Sequence, residues 1–276
     1  SVDLVGDISG YFAPGAGSTL TTAGPCRAFD TRSGAGNCSG AATITNTPLG
    51  AGSAMQLNVV GVGGVPSDAT AVVMNLTAVG ATRTTFVTAW PDGAPRPTVS
   101  NLNVSNANAT PNLAIIPIGT DGSIDLYNAA GSVNLIGDIS GYFAPNSGST
   151  LVTTGPCRVF DTRTGAGNCP GAGGVVQAAL TAGHTVKIAV SAVAGVPSNA
   201  TAVVVNLTAV SATQGTFVTA WPDGQTRPTV SSLNVSNRNP TPNLAVVPVG
   251  TDGMIDLYNA AGNVNLIGDI SGYFAP

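Results

Sequence analysis

VNLIGDISGYFAP at residues 264–276 is the stretch that decides the fold, because it occurs three times. The same letters stand at 133–145, and VDLVGDISGYFAP stands at 2–14. Consecutive copies are 131 residues apart, and the sequence between them repeats in the same register without a gap. A fixed long period is typical of a tandem-repeat protein. The chain is therefore predicted to hold two full repeats and one extra copy of the segment that ends each repeat.

The period divides the chain into three parts. Residues 15–145 and 146–276 are predicted to be two domains of ordinary size, joined through a short Pro/Gly/Ser linker at 144–149. Residues 1–14 are interpreted as the last strand of a preceding repeat, or as a strand donated to a neighbouring subunit, since an unpaired strand edge can pair with another chain. The apolar and aromatic residues expected to carry this contact are Val2, Leu4, Ile8, Tyr11 and Phe12.

The composition is that of an all-β protein. Glu is absent, Lys occurs once, and Gly (36) and Pro (19) punctuate short runs rich in Val, Thr and Ile. Short alternating runs at regular spacing predict two tandem antiparallel β-sandwich domains, jelly-roll or immunoglobulin-like, with one extra N-terminal strand. The last three runs of each repeat, joined by tight turns, predict a meander. The strands predicted in repeat 1 cover 26–32, 54–60, 70–79, 84–90, 101–105, 113–119, 124–127 and 133–143.

Charge and hydropathy exclude several classes of function. Charged residues make up 8% of the chain, the net charge is −4, and no basic cluster is present, which argues against a nucleic-acid partner. No apolar run is long enough to span a membrane. The low charge leaves little repulsion between copies of the chain, so copies of itself are the expected partner. No metal or cofactor is predicted.

The four cysteines form one pair per repeat with the same spacing. Cys26 and Cys38 in repeat 1 correspond to Cys157 and Cys169 in repeat 2. Such even, repeated spacing predicts one disulfide in each domain and hence an extracellular, secreted or cell-surface location. The alternative is a metal site, but neither pair has a second nearby pair of Cys or His residues to complete four ligands.

Arginine and aspartate recur in an R-x-x-D-T-R motif inside each disulfide ring. The motif predicts structural ion pairs that hold the first strand and its following loop, with an anion or sugar-acid site as the alternative. The only histidine, His184, and the only lysine, Lys187, are not shared between repeats, so no catalytic residue is predicted and the chain is expected not to be an enzyme. The residues of the predicted ion pairs are Arg27, Asp30, Arg32, Arg158, Asp161 and Arg163.

Two further sets of polar residues allow both a structural and a functional interpretation. The tryptophan of each W-P-D-G turn could stack on a sugar ring, or it could anchor a hairpin corner. This candidate glycan-binding set comprises Trp90, Asp92, Arg96, Trp221, Asp223 and Arg227. Asparagines on strands depart from strand preference and indicate side-chain ladders, or a polar face for carbohydrate or a neighbouring domain. They are Asn75, Asn101, Asn103, Asn112, Asn128 and Asn134.

The ordered motifs of each repeat resemble a known family. CRxFDTR opens the unit, GVPxxATAVVxNLTAV and TFVTAWPDGxxRP lie in its middle, and DLYNAAGxVNLIGDISGYF ends it. Together they resemble a tandem DTR…GYF repeat module of large secreted and cell-surface proteins of actinobacteria and related bacteria. The resemblance covers essentially the whole chain and implies an extracellular, non-catalytic β module, without supplying a ligand.

Two functions from different classes remain at this point. The first is a structural protein of the cell exterior, in which repeats joined in tandem or by strand complementation build a filament, stalk or adhesin shaft. The second is a lectin-like module with one carbohydrate site in each repeat, formed around Trp90 and Trp221. Strict register, low charge and the extra terminal segment favour the first.

Overall fold

The chain forms two antiparallel β-sandwiches in tandem, as the sequence predicts. The structure is a computed structural model that describes residues 3, 5–13, 15, 17–105, 107–146, 148–236 and 239–276. One short 3-10 helix, Val62–Gly64, interrupts the strands. In the described part of the chain, no helix has the length and apolarity needed to cross a bilayer.

Each repeat contributes its own set of strands. Those of repeat 1 are β1 Thr19–Asp30, β2 Ser53–Asn58, β3 Ala71–Val79, β4 Thr85–Pro91, β5 Leu102–Val104, β6 Thr110–Pro117, β7 Ser123–Asn128 and β8 Asn134–Ala144. Those of repeat 2 are β9 Thr150–Asp161, β10 Leu180–Thr181, β11 Thr185–Ala189, β12 Ala202–Val210, β13 Thr216–Pro222, β14 Leu233–Val235, β15 Thr241–Pro248, β16 Met254–Asn259 and β17 Asn263–Ala275.

Two sheets face each other in each repeat. The first sheet of repeat 1 has the strand order β1-β8-β3-β6 and the second β2-β7-β4-β5, with every neighbouring pair antiparallel. Repeat 2 reproduces the first sheet as β10-β17-β12-β15, with β9 also paired to β17, and the second as β11-β16-β13-β14. The GDISGYF segment thus forms a central strand, between the first strand of its repeat and β3 or β12.

Strand alternation places one apolar face of each sheet inside. In β3, Val72, Met74, Leu76 and Ala78 all belong to the core of repeat 1, as their period-two spacing predicts. The second sheet closes this core with residues such as Ile124. An equivalent core fills repeat 2, so each sandwich buries its own apolar interior.

The predicted meander is wrong, although its three strands exist. β7 pairs with β2 and β4 in the second sheet, whereas β6 and β8 both belong to the first sheet. The Asp121-Gly122 turn therefore carries the chain from one sheet to the other instead of closing a hairpin. The turn forms as expected, since Gly122 has φ 85°. A turn sequence predicts the local backbone conformation, but it does not predict which sheet the next strand joins.

The N-terminal copy of the GYF segment forms no strand in its described residues, 3 and 5–13. Val2 and Leu4 of the predicted contact lie outside the described residues. Ile8 and Tyr11 are almost fully exposed, at 93% and 88%. Phe12 packs on the two phenylalanines that occupy its position in the later copies, Phe143 and Phe274. Since β8 and β17 fill the corresponding places in the two sandwiches, the segment has no sheet of its own within this chain.

Gly137, in the GDISGYF segment, lies directly under the ring of Phe29 in the DTR motif. A methyl group at Gly137 would overlap this ring and approach the Met74 sulfur at 2.7 Å. We expect Gly137→Ala to lower the free energy of unfolding of repeat 1 by roughly 2 kcal/mol, because overpacking a dense core forces its neighbours apart. Urea denaturation measures this effect. Gly10→Ala is the control, since a methyl group there meets nothing within 4 Å; equal stability of both variants would contradict the packing described.

Candidate functional site

The two repeats are in contact, and we call this contact the seam. Equivalent strands of the two repeats have the same sequence but are buried to different extents, which locates the seam. β8 and β17 contain the same run NLIGDISGYFA, yet β8 is buried on both faces, whereas β17 alternates between buried and partly exposed residues. β3 is likewise more deeply buried than its counterpart β12. At the edge of the first sheet the more buried strand belongs to repeat 2, since β15 is more buried than its counterpart β6. Repeat 2 therefore covers β3 and β8 of repeat 1 with its own β15 edge.

Hydrogen bonds of asparagine side chains define the polar part of the seam. The Asn243 Nδ2 on β15 donates to the Asn75 Oδ1 on β3 at 2.9 Å, and the Asn75 Nδ2 donates to the Ser231 carbonyl oxygen at 2.8 Å. The backbone N–H of Leu113, on the edge strand β6, donates to the Asn243 Oδ1 at 3.2 Å. Asn75 and Asn243 are both 5% exposed, so these bonds are shielded from water and fix the relative position of the repeats.

Apolar residues close one end of the seam. Leu20, Ala71, Val73 and Phe143 of repeat 1 form one buried cluster with residues of repeat 2, including Phe274. Beside it, Leu20 and Ser149 exchange two backbone hydrogen bonds, of 3.0 and 2.7 Å, that attach the linker to β1. The polar part of the seam leaves a cavity of only about 20 Å³, room for little more than a water molecule. The repeats are thus packed against each other, and not merely tethered.

The polar part of the seam uses different surfaces of the two repeats, whereas its apolar end contains equivalent residues of both, such as Phe143 and Phe274. We call the surface carrying Asn75, Asp138 and Ser140 in repeat 1 the receiving face, and the surface carrying Ser231, Asn243 and Val246 in repeat 2 the docking face. Each repeat has both faces, because the residues recur at the same register. The second receiving face carries Asn206, Asp269 and Ser271, and the second docking face carries Ser100, Asn112 and Ile115. A contact between unlike faces is heterologous and does not close on itself.

The predicted ion pairs form, and they extend beyond the DTR motif into the receiving face. Arg32 binds Asp30 through two nitrogens, Nε at 3.0 Å and Nη2 at 2.7 Å. Arg27 lies 3.4 Å from Asp30 and donates from Nε to the Asp138 Oδ1 at 3.0 Å. Repeat 2 has the same set, in which Arg163 binds Asp161, and Arg158 contacts both Asp161 and Asp269. The network joins the first strand to the GYF strand beside it.

The seam changes the surroundings of one member of this network. The Asp138 side chain is 2% exposed, whereas the equivalent Asp269 is 30% exposed, because only Asp138 is covered by the other repeat. Burial raises the pKa of Asp138 above its usual value, and Arg27 opposes this effect. The Asp138 Oδ2 is buried without a hydrogen-bond partner. The Arg163 guanidinium, by contrast, holds the pKa of Asp161 below its usual range.

The tryptophans of the candidate glycan set lie inside corners of the fold. Trp90 is 6% exposed, and its indole N–H donates to the Ala94 carbonyl oxygen at 3.0 Å, which closes the W-P-D-G turn. Trp221 is equally buried and bonds the Gln225 carbonyl oxygen in the same way. These hydrogen bonds agree with the interpretation that each tryptophan anchors a hairpin corner. Neither indole presents a face on which a sugar could stack.

The remaining residues of that set make other contacts. Arg96 stacks on the Tyr127 ring with its guanidinium 4.0 Å from the ring centre, and Arg227 stacks on Tyr258 at 3.9 Å. The Lys187 Nζ lies 2.7 Å from the Asp223 Oδ2. This hydrogen bond lowers the pKa of Asp223 to about 2.

Asp256 lies beside Lys187 and Asp223 and has a perturbed pKa. Burial, together with the charge of Asp223, raises its pKa to about 6. Its Oδ1 is buried without a hydrogen-bond partner. Among the described residues, no group of three His, Cys, Asp or Glu side chains is placed to hold a metal ion.

Several sequence predictions can now be placed. Both predicted disulfides are confirmed, Cys26 with Cys38 and Cys157 with Cys169. The imidazole of His184 contacts Thr181 and the Ala182 carbonyl oxygen, both in its own turn. The sequence did not predict the docking face, because Asn243 and Asn112 stand in the same sequence context and only Asn243 makes the contact. The unusual asparagines on strands were the available signal, and a polar face for a neighbouring domain was one of their interpretations.

Comparisons with known proteins add little to this picture. No protein-family model and no curated protein matches the chain. One solved structure that the chain matches is the N-terminal CBM22-1–CBM22-2 tandem domain of Xyn10C from Paenibacillus barcinonensis. It is 10% identical, with a TM-score of 0.22, and the match covers 94% of each chain.

The duplicated asparagines provide a matched test of the seam. We expect Asn75→Ala to lower the free energy of unfolding by about 2 kcal/mol, because it leaves the Asn243 amide and the Ser231 carbonyl buried without a partner. Asn206→Ala, at the same position outside the seam, should cost less than half as much. Chemical denaturation of the two variants measures both values. Equal losses would show that the bonds between repeats add nothing to stability.

The buried carboxyl of Asp256 predicts a dependence of stability on pH. Because its pKa is raised to about 6 in the folded chain, it favours the folded state below about pH 4 and loses this effect as the pH rises through about 6. Replacement by asparagine removes the ionisation. We expect wild-type stability, measured relative to Asp256→Asn, to fall by on the order of 2 kcal/mol between about pH 4 and pH 7. Parallel curves would contradict the assignment.

Proposed function

We propose that this chain is a structural element of the cell exterior, a non-catalytic tandem-repeat protein whose repeats stack into an extended array. The heterologous seam is the observation that carries the proposal. Because the polar part of the contact joins the receiving face of repeat 1 to the docking face of repeat 2, it does not pair the two repeats symmetrically, and further repeats can be added in one direction. Such an arrangement suits a filament, stalk or shaft.

The linker supports a stiff array and not a flexible string of domains. Between Ala144 at the end of β8 and Thr150 at the start of β9 only five residues intervene, and Ser149 among them is bonded to Leu20 on both its N–H and its C=O. Gly148 approaches the Leu20 carbonyl so closely that no side chain fits between them. A short linker held to the first repeat transmits the orientation of one sandwich to the next.

The disulfides and the low charge suit an exposed, long-lived structure. One bridge in each repeat closes a short ring near the receiving face, and such a bridge contributes roughly 3 kcal/mol by limiting the unfolded chain. Disulfides persist in oxidising surroundings, which supports a location outside the cell. The net charge of −4 over 276 residues leaves weak repulsion between packed copies.

Two glycines at the same register position test whether the linker holds the repeats together. Gly148 has φ 100° and Gly17 has φ 87°, so both substitutions to alanine carry a similar backbone cost. Only at Gly148 would the added methyl group overlap the Leu20 carbonyl, since nothing lies within 4 Å of it at Gly17.

We expect Gly148→Ala to break the Leu20–Ser149 bonds, to increase amide exchange at both residues at least tenfold, and to increase the maximum dimension seen by small-angle X-ray scattering. Gly17→Ala should match the wild type, which should scatter as one rigid particle. Wild-type scattering from two independently moving domains would refute the stiff array.

A further inference from the structure

Three phenylalanines, one from each copy of the GYF segment, form a closed cluster. The ring centre of Phe12 lies 5.7 Å from that of Phe143 and 6.4 Å from that of Phe274, and the last two are 6.2 Å apart. These distances are nearly equal, so the three phenyl groups stand at the corners of a triangle. In a row, the first and third would lie much farther apart than neighbours do. The three copies of the segment therefore surround one common axis.

The apolar end of the seam lies at the same axis. Residues at equivalent positions of two repeats come together only near the axis that relates the repeats, and this cluster combines such residues. Those of repeat 1 are Leu20, Ala71, Val73 and Phe143, and those of repeat 2 are Leu151, Ala202, Val204 and Phe274. Because they belong to the first sheet of each repeat and lie outside both sandwich cores, the outer faces of the two first sheets are turned toward the axis.

The polar part of the seam shows that this axis is not twofold. A twofold axis makes every contact reciprocal, so that Asn206 would bind Asn112 as Asn75 binds Asn243. The Asn206 Nδ2 instead donates to the Thr208 hydroxyl at 3.5 Å, and the Asn112 Nδ2 donates to a carbonyl oxygen of its own repeat at 2.7 Å. A contact of this kind closes when its rotation, repeated, completes a full turn. Equivalent phenylalanines in a triangle indicate that three repeats complete it.

Partial exposure marks the places that a third repeat would cover. On the receiving face of repeat 2, the Asp269 side chain is 30% exposed, whereas the equivalent Asp138 beneath repeat 2 is 2% exposed. On β6 of repeat 1, Ile115 is 37% exposed, whereas the equivalent Val246 is 7% exposed. The seam already engages the Leu113 N–H of β6, so a third repeat would meet only the exposed residues on either side of it.

We propose that three successive repeats close around the phenylalanine cluster, and that the third member is a further copy of the 131-residue repeat, the one that ends in residues 2–14. This inference rests on the proposed function and adds to it the number of repeats that share one axis. Continuity with the seam carries it, because the third repeat makes the same contact twice, once with each of its faces. The triangle has no place for a fourth phenylalanine, so a longer array consists of successive groups of three.

A repeat added at one end of the chain tests the closed group at the other end. A copy of residues 15–131 placed before residue 1 gives the segment 1–14 a sandwich of its own. In a closed group the added repeat docks on repeat 2, and its counterpart of Asn243 binds the Leu244 N–H as Asn243 binds that of Leu113. We expect amide exchange at Leu244 to slow at least tenfold. In a linear stack the added repeat contacts only repeat 1, and an unchanged rate at Leu244 would overturn the proposal.

Asparagine substitutions provide the matched controls. Asn206→Ala, which should cost the chain less than half of what Asn75→Ala costs, should become as destabilising as Asn75→Ala once the added repeat is present. Asn112→Ala in the added copy alone removes the docking amide and should return exchange at Leu244 to its original rate. Val176→Asp, at a residue 74% exposed and outside the cluster, should leave that exchange slow. An effect of Asn206→Ala that the added repeat does not change would overturn the closed group.

The phenylalanine cluster is tested in the chain itself, without any extension. Nuclear Overhauser effects should connect the ring protons of Phe12 to those of both Phe143 and Phe274, because the three ring centres are nearly equidistant. Contact of Phe12 with only one of the two would overturn the triangle, and with it the inference.

The outcomes separate this inference from the function on which it rests. If Leu113 exchanges slowly and Leu244 rapidly both with and without the added repeat, the closed group fails and linear stacking of the repeats stands. If the two amides exchange equally in the chain without the added repeat, the seam itself fails and both proposals fail with it.

Discussion

The hydrogen bond from Asn243 to Asn75 fixes how one repeat can follow another. A side-chain amide has a donor end and an acceptor end, and in this seam Asn243 uses both, giving its N–H to Asn75 and accepting the N–H of Leu113. Once these groups are buried, any other placement of repeat 2 would leave several of them unpaired, which costs more than the bonds themselves contribute. The placement of repeat 2 on repeat 1 therefore depends on a contact between two amides.

This contact explains why equivalent residues of the two repeats have different surroundings. Asp138 and Asp269 occupy the same position in the same strand and each binds the same arginine, yet only Asp138 lies beneath another repeat. The difference follows from position in the chain, because repeat 2 covers Asp138 whereas Asp269 stays partly exposed. The perturbed pKa of Asp138 is a consequence of the seam and not of its own sandwich.

The sequence predicted the elements of the fold better than their arrangement. Alternation in β3 identified the core residues correctly, and the repeated cysteine spacing identified both disulfides. The meander failed because the Asp121-Gly122 turn is local chemistry, whereas the sheet that the next strand joins is decided by packing across the whole domain. The seam escaped prediction for a related reason, since Asn75 and Asn206 stand in the same local sequence and only their distant neighbours differ.

Burial of both tryptophans also bears on the alternative of a carbohydrate site. An aromatic ring binds sugar through an exposed face, and in this fold each indole is used inside a turn, with its N–H bonded to the backbone. The recurring tryptophans are thereby explained as parts of the corner, and the recurring arginines stack on Tyr127 and Tyr258.

Hydrogen exchange at two amides tests the central claim most directly. Leu113 and Leu244 occupy the same position on the edge strands β6 and β15, but within the described chain only the Leu113 N–H is bound by a side chain of the other repeat. At a concentration where the chain is monomeric, the heterologous seam predicts slow exchange at Leu113 and exchange at least tenfold faster at Leu244. Equal protection of the two amides would contradict it.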